Sequence, residues 1–321
     1  MTRTLLLALF TAAGMSSAYA QGNYPNKPIR WIIPYAPGGG TDVVARPIAL
    51  RLGEVLGVPV VYENRGGGGG LIAGETVAKS APDGYTLLVG SGNTHVFPTL
   101  LNDKIPYDPV RDYAPITNFV IAPNILVAYP AFPPKTIQEL IAYGKANPGK
   151  INWASSGNGS GGHVALVLFA RDVGIKVLHV PFKGAGPAVT ALLGGETDLL
   201  FANTGVFLGH IQSAKLRPVA VASLTRLALL PNVPTLNESG FPGFESSTSY
   251  GLLAPAGTPR PIINKLHGEL VKIVKSPESV TRLVGVGAIP VASTPEQFAE
   301  ANRKDVEKWG KIIRESGIKA D

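Results

Sequence analysis

Short apolar runs alternate with amphipathic stretches along most of the chain, and this alternation predicts strands and helices in turn. Residues 29–34 are β-branched and bounded by Pro28 and Pro34; they lead through Gly38, Gly39 and Gly40 into a helical pattern over 43–57. Residues 58–63 predict a second strand, 66–70 a second glycine loop, 71–80 a helix, and 85–89 a third strand ending at Gly90. Strands alternating with helices at this spacing imply βαβ units and a mostly parallel sheet. After a proline-containing stretch at 107–115, the plan repeats. A strand at 125–128, a helix at 137–147, a strand at 152–154, a loop at 155–162 and a helix at 163–173 follow, then strands at 177–181 and 199–201 with a helix at 186–194 between them. Residues 218–223 predict another strand, and 246–253 a crossing back toward the first half. Helices close the chain at 262–275 and 295–316, the second announced by Thr294 before Pro295 and Glu296. The fold class is therefore α/β with two lobes, residues 21–123 with 246–321 and residues 124–245. Each is a mostly parallel sheet flanked by helices, and crossings near 122–124 and 245–249 form a hinge.

The N-terminus adds a destination. Arg3 precedes an apolar run over 5–15, and small residues then reach Ala18, Tyr19 and Ala20. That is the pattern of a secretory signal peptide, residues 1–20, with an A-x-A cleavage site. The run is about half the roughly 20 residues a membrane span needs, so export to the periplasm is expected.

Composition narrows the partners. The formal charge of +7 falls to +6 once Arg3 is removed, and the lysines and arginines are scattered with no block of like charge. Nucleic-acid binding finds no support in that pattern, whereas a weakly positive body suits an anionic ligand. The chain has no cysteine, which excludes disulfides, thiolate chemistry and cysteine-ligated zinc. The expectation is a monomer without cofactor or metal.

A glycine loop that opens a helix points unpaired backbone N–H groups and a positive dipole end at one place. Gly38, Gly39, Gly40 and Thr41 make such a loop, with Thr41 as a plausible N-cap and Asp42 in the first turn orienting water or loop amides. In the second half, Ser155, Ser156 and Ser160 offer hydroxyls around Gly157 and Asn158. His163 at the following helix start is either a capping histidine or a ligand contact. Lys183, with Gly184 beside it, either adds charge or is a solvated loop lysine. Asn203, and Ser91, Asn93 and Thr94 in the first lobe, stand at C-terminal strand ends, where open α/β sheets bind ligands.

Several stretches resemble one family. They include Tyr24-Pro25-Asn26-Lys27-Pro28-Ile29, Pro34-Tyr35-Ala36-Pro37-Gly38-Gly39-Gly40-Thr41-Asp42, Glu63-Asn64-Arg65, Ala81-Pro82-Asp83-Gly84-Tyr85, Ala154-Ser155-Ser156-Gly157-Asn158-Gly159-Ser160, Val180-Pro181-Phe182-Lys183-Gly184 and Gly251-Leu252-Leu253-Ala254-Pro255. In order and over nearly all of the mature chain, they resemble the Bug-type substrate-binding components of tripartite tricarboxylate transporters. The resemblance implies a type II periplasmic-binding-protein fold and a cleft closing on a small carboxylate (dicarboxylate, tricarboxylate or aromatic). It also implies waters bridging ligand to backbone, and delivery to integral membrane transporter subunits. Tyr35 and Ala36 join the candidate site on the same ground. Two departures sit beside the expected ligand, all-glycine residues 66–70 and the pair Gly161-Gly162, and both are expected to widen or loosen the site.

Enzymatic readings fare worse. No serine has glycine at both minus two and plus two, so a nucleophile elbow is absent. Residues 144–151 nearly spell a P-loop, but Ile151 stands where Ser or Thr is required. Gly157, Gly159 and Gly162 formally match a dinucleotide fingerprint, yet Phe182 and Lys183 occupy the place of its acidic ribose partner. The five histidines are far apart with no H-E-x-x-H. The alternatives to transport are a ligand sensor for a membrane receptor, which the same fold serves, and an exported Ser/His hydrolase.

Overall fold

The structure is a computed structural model that describes residues 24–90, 92–102 and 104–316. The expected signal peptide and Ser91 lie outside the described residues. Ten strands and ten α-helices follow one another among those residues, largely in the anticipated alternation.

In the first lobe, β1 (Ile29–Ile33) pairs in parallel with β2 (Val60–Asn64) and β3 (Thr86–Gly90). β3 then pairs antiparallel with the returning strand β9 (Ser247–Pro255). β1 is buried on both faces because α1 (Gly40–Leu56) covers one of them, with Val44, Ala45, Ile48, Ala49 and Leu52 on its inner stripe. Trp31 stacks on Phe119 in this core. α2 (Leu71–Ala78) and the short α3 (Phe97–Leu101) follow β2 and β3, and α8 (Arg260–Lys275), α9 (Pro277–Gly285) and α10 (Pro295–Ser316) complete the lobe.

The second lobe repeats the arrangement. β5 (Asn152–Ser155) lies between β6 (Leu178–Pro181) and β7 (Leu199–Asn203), all parallel, and α4 (Ile137–Ala146), α5 (Gly161–Val173), α6 (Ala185–Leu193) and α7 (Thr204–Gln212) flank them. Trp153 and Phe169 sit at the centre of its core.

One strand belongs to both lobes. β4 runs from Tyr113 to Ala128, starting well before the Ile125 expected from hydrophobicity. Its first part pairs with β9 as far as Pro123 and Ser247; from Asn124 onward it pairs with β7 and with β8 (Arg217–Val221). The prolines that hid it cost little. Pro115 sits at a register shift, and Pro123 at the residue where the strand changes partners, two places where a missing N–H is tolerated. Helix α9 and the two-residue strand β10 (Ile289–Pro290), which pairs with β4, were not anticipated. Neither was the single π turn Gly92–Val96 before α3.

Candidate functional site

Four strand-to-helix turns meet where the lobes face each other. β1 passes through residues 34–39 into α1, β5 through 156–160 into α5, β6 through 182–184 into α6, and β7 directly into α7. The lining of the resulting cleft includes Gly39, Gly40 and Thr41 from the first turn, Ser156, Ser160, Gly161 and Gly162 from the second, Ala185 from the third and Asn203 from the fourth. First-turn N–H groups have no intrahelical acceptor, so four positive dipole ends converge there. Among the described residues, none that lines the cleft is charged.

The first turn differs in detail from expectation. Gly39, not Thr41, is the N-cap residue, and no side chain caps α1. Asp42 turns back instead, and one of its carboxylate oxygens accepts from the Gly38 N–H at 2.6 Å while the other pairs with Arg46 at 3.3 Å. Its charge is thereby held away from the cleft. Thr41 is buried, and its carbonyl accepts from the Tyr62 hydroxyl at 3.1 Å.

In the second turn the expected hydroxyls divide. Ser156 and Ser160 face the cleft, and Ser160 also caps α5 by accepting from the His163 N–H. Ser155 is fully buried behind the loop, where its hydroxyl accepts from the Gly157 N–H at 3.1 Å and lies 2.7 Å from His179 Nε2. His163 is buried too. Its Nδ1 accepts from the Gly159 N–H at 3.1 Å, so the ring proton sits on Nε2, and the ring stacks on His179 with centroids 4.0 Å apart. Burial first, and the neighbouring His179 second, push the His163 imidazole down from 6.5 to about 3. Ser155, Gly157 and His163 therefore shape the loop from behind and do not line the cleft.

The lobes touch directly. The Ala36 N–H donates to the Lys183 carbonyl at 3.0 Å across the cleft mouth. The Lys183 side chain is exposed and outside the lining, and Gly184 packs against Ala36. Tyr35 lines the cleft, whereas Gly38 is exposed at its outer rim. Asn93 and Thr94 belong to the π turn Gly92–Val96. Of the two glycine departures, the first faces the second lobe: a Cβ at Gly69 would press on the Asn158 carbonyl, and one at Gly66 would lie 3.5 Å from the Lys183 carbonyl. Gly162, by contrast, packs inward on the Phe201 carbonyl.

Pattern reading missed the hinge side of the cleft. Asn124, Thr248 and Tyr250 line it, and Tyr250 donates to Asn203 Oδ1. The Asn203 amide nitrogen donates to Asn124 Oδ1 at 2.9 Å and to the Ala122 carbonyl at 3.3 Å, and Asn124 donates in turn to Ser246 at 2.9 Å. This chain ties the first residue of α7's turn to both crossings. Burial raises the Tyr250 phenol well above its ordinary range, keeping it a donor. Only a polar residue at each crossing hinted at this network. The closed space is about 30 Å³, room for roughly two waters at some 10–15 Å³ each. A carboxylate of several carbons thus enters only while the lobes are apart.

A family model described as the tripartite tricarboxylate transporter family receptor, TctC, matches residues 44–318. The chain belongs to that family. BugT of Bordetella pertussis is 38% identical, with 99% of each chain covered. Among solved structures, R. palustris Rpa4515 with adipate is 31% identical at a TM-score of 0.89, covering 92% of this chain and 99% of that one. MatC of Rhodopseudomonas palustris with bound malate is 33% identical at a TM-score of 0.85, covering 90% and 100%. This TctC-family chain has the two-lobed fold of periplasmic binding proteins, and its family is one of periplasmic solute receptors. Among the described residues, no helix is long and apolar enough to cross a membrane.

Proposed function

We propose that this protein captures a small di-, tri- or aromatic carboxylate between its lobes in the periplasm and delivers it to integral membrane transporter subunits, without catalysing a reaction on it. The observation that carries this reading is the convergence of four helix N-termini on an uncharged cleft. Backbone N–H groups and dipole ends stabilise an anion there without the desolvation cost of a buried cation. The malate and adipate of two relatives have the chemistry such a cleft selects. The reading includes a monomer in which residues 124–245 move as one lobe, exported with loss of residues 1–20. Mass spectrometry of the periplasmic form tests the last point, and an intact Met1 end refutes it.

A thermal-shift screen with malate, adipate, citrate and benzoate tests the function. A carboxylate present at about a hundred times its Kd stabilises by about 2.7 kcal/mol, several degrees for a chain of this size. If no carboxylate raises the melting temperature, the assignment fails.

Lys183 supplies a sharper expectation. Its carbonyl bridges the lobes while its ammonium stays in solvent, and alanine keeps that carbonyl. Lys183→Ala should therefore change the affinity for the best carboxylate by no more than about 0.5 kcal/mol. Loss of binding by calorimetry would put a side-chain ion pair in place of the backbone cradle.

A further inference from the structure

The hinge strand has two faces. Successive side chains of a strand point to opposite sides, and in β9 Thr248 and Tyr250 line the carboxylate cleft while Ser247 and Ser249 line a second cavity behind it. That rear cavity, about 450 Å³, is far roomier than the cleft. Its walls come from both lobes. Ala165, Leu168 and Asp172 share one face of α5, and Asp305, Lys308 and Trp309 share one face of α10.

The chemistry of these walls is specific. Phe97 and Trp309 meet edge to face at 4.7 Å, and Phe244 is a further aromatic in the lining. Arg171 is already committed to Asp172 through two hydrogen bonds to one carboxylate oxygen. Lys308 lies over the Trp309 ring at 5.0 Å. Among the described residues, neither Asp305 nor Glu245 forms a salt bridge. The lining thus holds three carboxylates against two cations, one acidic group in excess, with aromatic faces beside it. Burial pushes the Asp305 carboxyl up to about 6, against the opposing pull of the nearby Lys308 charge and of a hydrogen bond from the Trp309 side chain; above pH 7 it is ionised in a partly apolar setting, where a bound cation would add to those two partners.

We propose that the rear cavity is a second ligand site, distinct from the carboxylate cleft, that takes an organic monocation: an ammonium group held at Asp305 against the Trp309 ring, with an aryl or alkyl body among Phe97, Leu168 and Phe244. An aromatic face attracts a desolvated ammonium, and the cavity is large enough for a body of eight to ten heavy atoms within the usual range of small-molecule sites.

Phenethylamine is a suitable probe, with 2-phenylethanol as its neutral isostere and phenylacetate as its anionic one. The chain has three tryptophans. Trp31 and Trp153 are buried in the two lobe cores, and Trp309 alone of the three lines the cavity. In a nitrogen-labelled sample at pH 7.5, titration with phenethylamine to about 10 mM should shift the Trp309 indole resonance saturably and leave the other two in place. The alcohol should bind at least about tenfold more weakly, and phenylacetate should leave Trp309 unmoved. Asp305→Asn, which keeps the side chain's shape, should weaken the amine about tenfold or more. No saturable Trp309 shift, equal binding of amine and alcohol, or full binding to Asp305→Asn would each overturn the proposal.

Discussion

Gly40→Val is expected to weaken carboxylate binding by about a hundredfold while both lobes stay folded. A Cβ placed on Gly40 would collide with the Asn203 side-chain amide, which belongs to the opposite lobe, and would stand 2.7 Å from the Tyr250 hydroxyl. Gly40 is the first residue of α1 and has no left-handed backbone, so with the lobes apart valine presses only on the Tyr250 hydroxyl of its own lobe, at the end of a side chain then released from Asn203. The larger part of the penalty, the collision with Asn203, falls on the closed form. Overpacking costs roughly 1–3 kcal/mol, and breaking the Tyr250 to Asn203 to Asn124 chain adds about 1 kcal/mol for each bond lost. A destabilisation of ~2.7 kcal/mol confined to the closed state lowers affinity by about two powers of ten. Calorimetry with the strongest carboxylate from the screen measures the loss, and circular dichroism checks the fold. Small-angle scattering adds a geometric test, because the wild type should contract with ligand and the variant should not. Gly40→Val binding at wild-type affinity would show that the lobes do not close on each other as described.

What the sequence made legible was the local chemistry of each turn. The run Gly38-Gly39-Gly40, set between a β-branched strand and an amphipathic stretch, announces a helix start whose backbone can be approached, and residues 39–41 do line the cleft. Which polar groups turn toward that cleft was not legible, because it depends on partners far away in the chain. Ser155 and His163 look like ligand contacts at the end of a strand, yet His179, brought alongside by the parallel pairing of β5 and β6, draws them inward. Asn124 and Tyr250 gave no periodic signal at all. They matter because β4 changes partners at Pro123 and because β9 returns to meet it, a tertiary event no local pattern encodes. The same strand shows how proline misleads: a rule that removes it from strand interiors hides the one element common to both lobes.

The buried histidine also fixes how stability should vary with pH. His163 titrates at about 3 in the folded protein, against 6.5 for an unperturbed imidazole, chiefly because burial disfavours its charged form. Between those values the unfolded chain binds a proton that the folded chain does not. The contribution is therefore complete above pH 6.5 and falls as pH is lowered toward 3, by about 1.4 kcal/mol per unit within the window. By pH 4 the loss from this one group reaches roughly 3 kcal/mol, large beside a typical total of 5–15 kcal/mol. His163→Gln is the matched comparison. It retains an acceptor for the Gly159 N–H, places glutamine three residues after the Ser160 cap as in a capping box, and has no proton to gain. Urea unfolding at pH 7.5, 6, 5 and 4 should show the wild type losing stability relative to the variant below pH 6.5, although the carboxylates common to both move each curve. Protonation of His163 would also remove the acceptor that holds residue 159, and Ser160 and Gly161 next to it line the cleft. Carboxylate affinity should then drop at low pH in the wild type before it drops in His163→Gln. Parallel stability curves for the two proteins would mean that His163 takes up its proton in the folded state as readily as in the unfolded one, and the neutral, acceptor role assigned to its Nδ1 would be wrong.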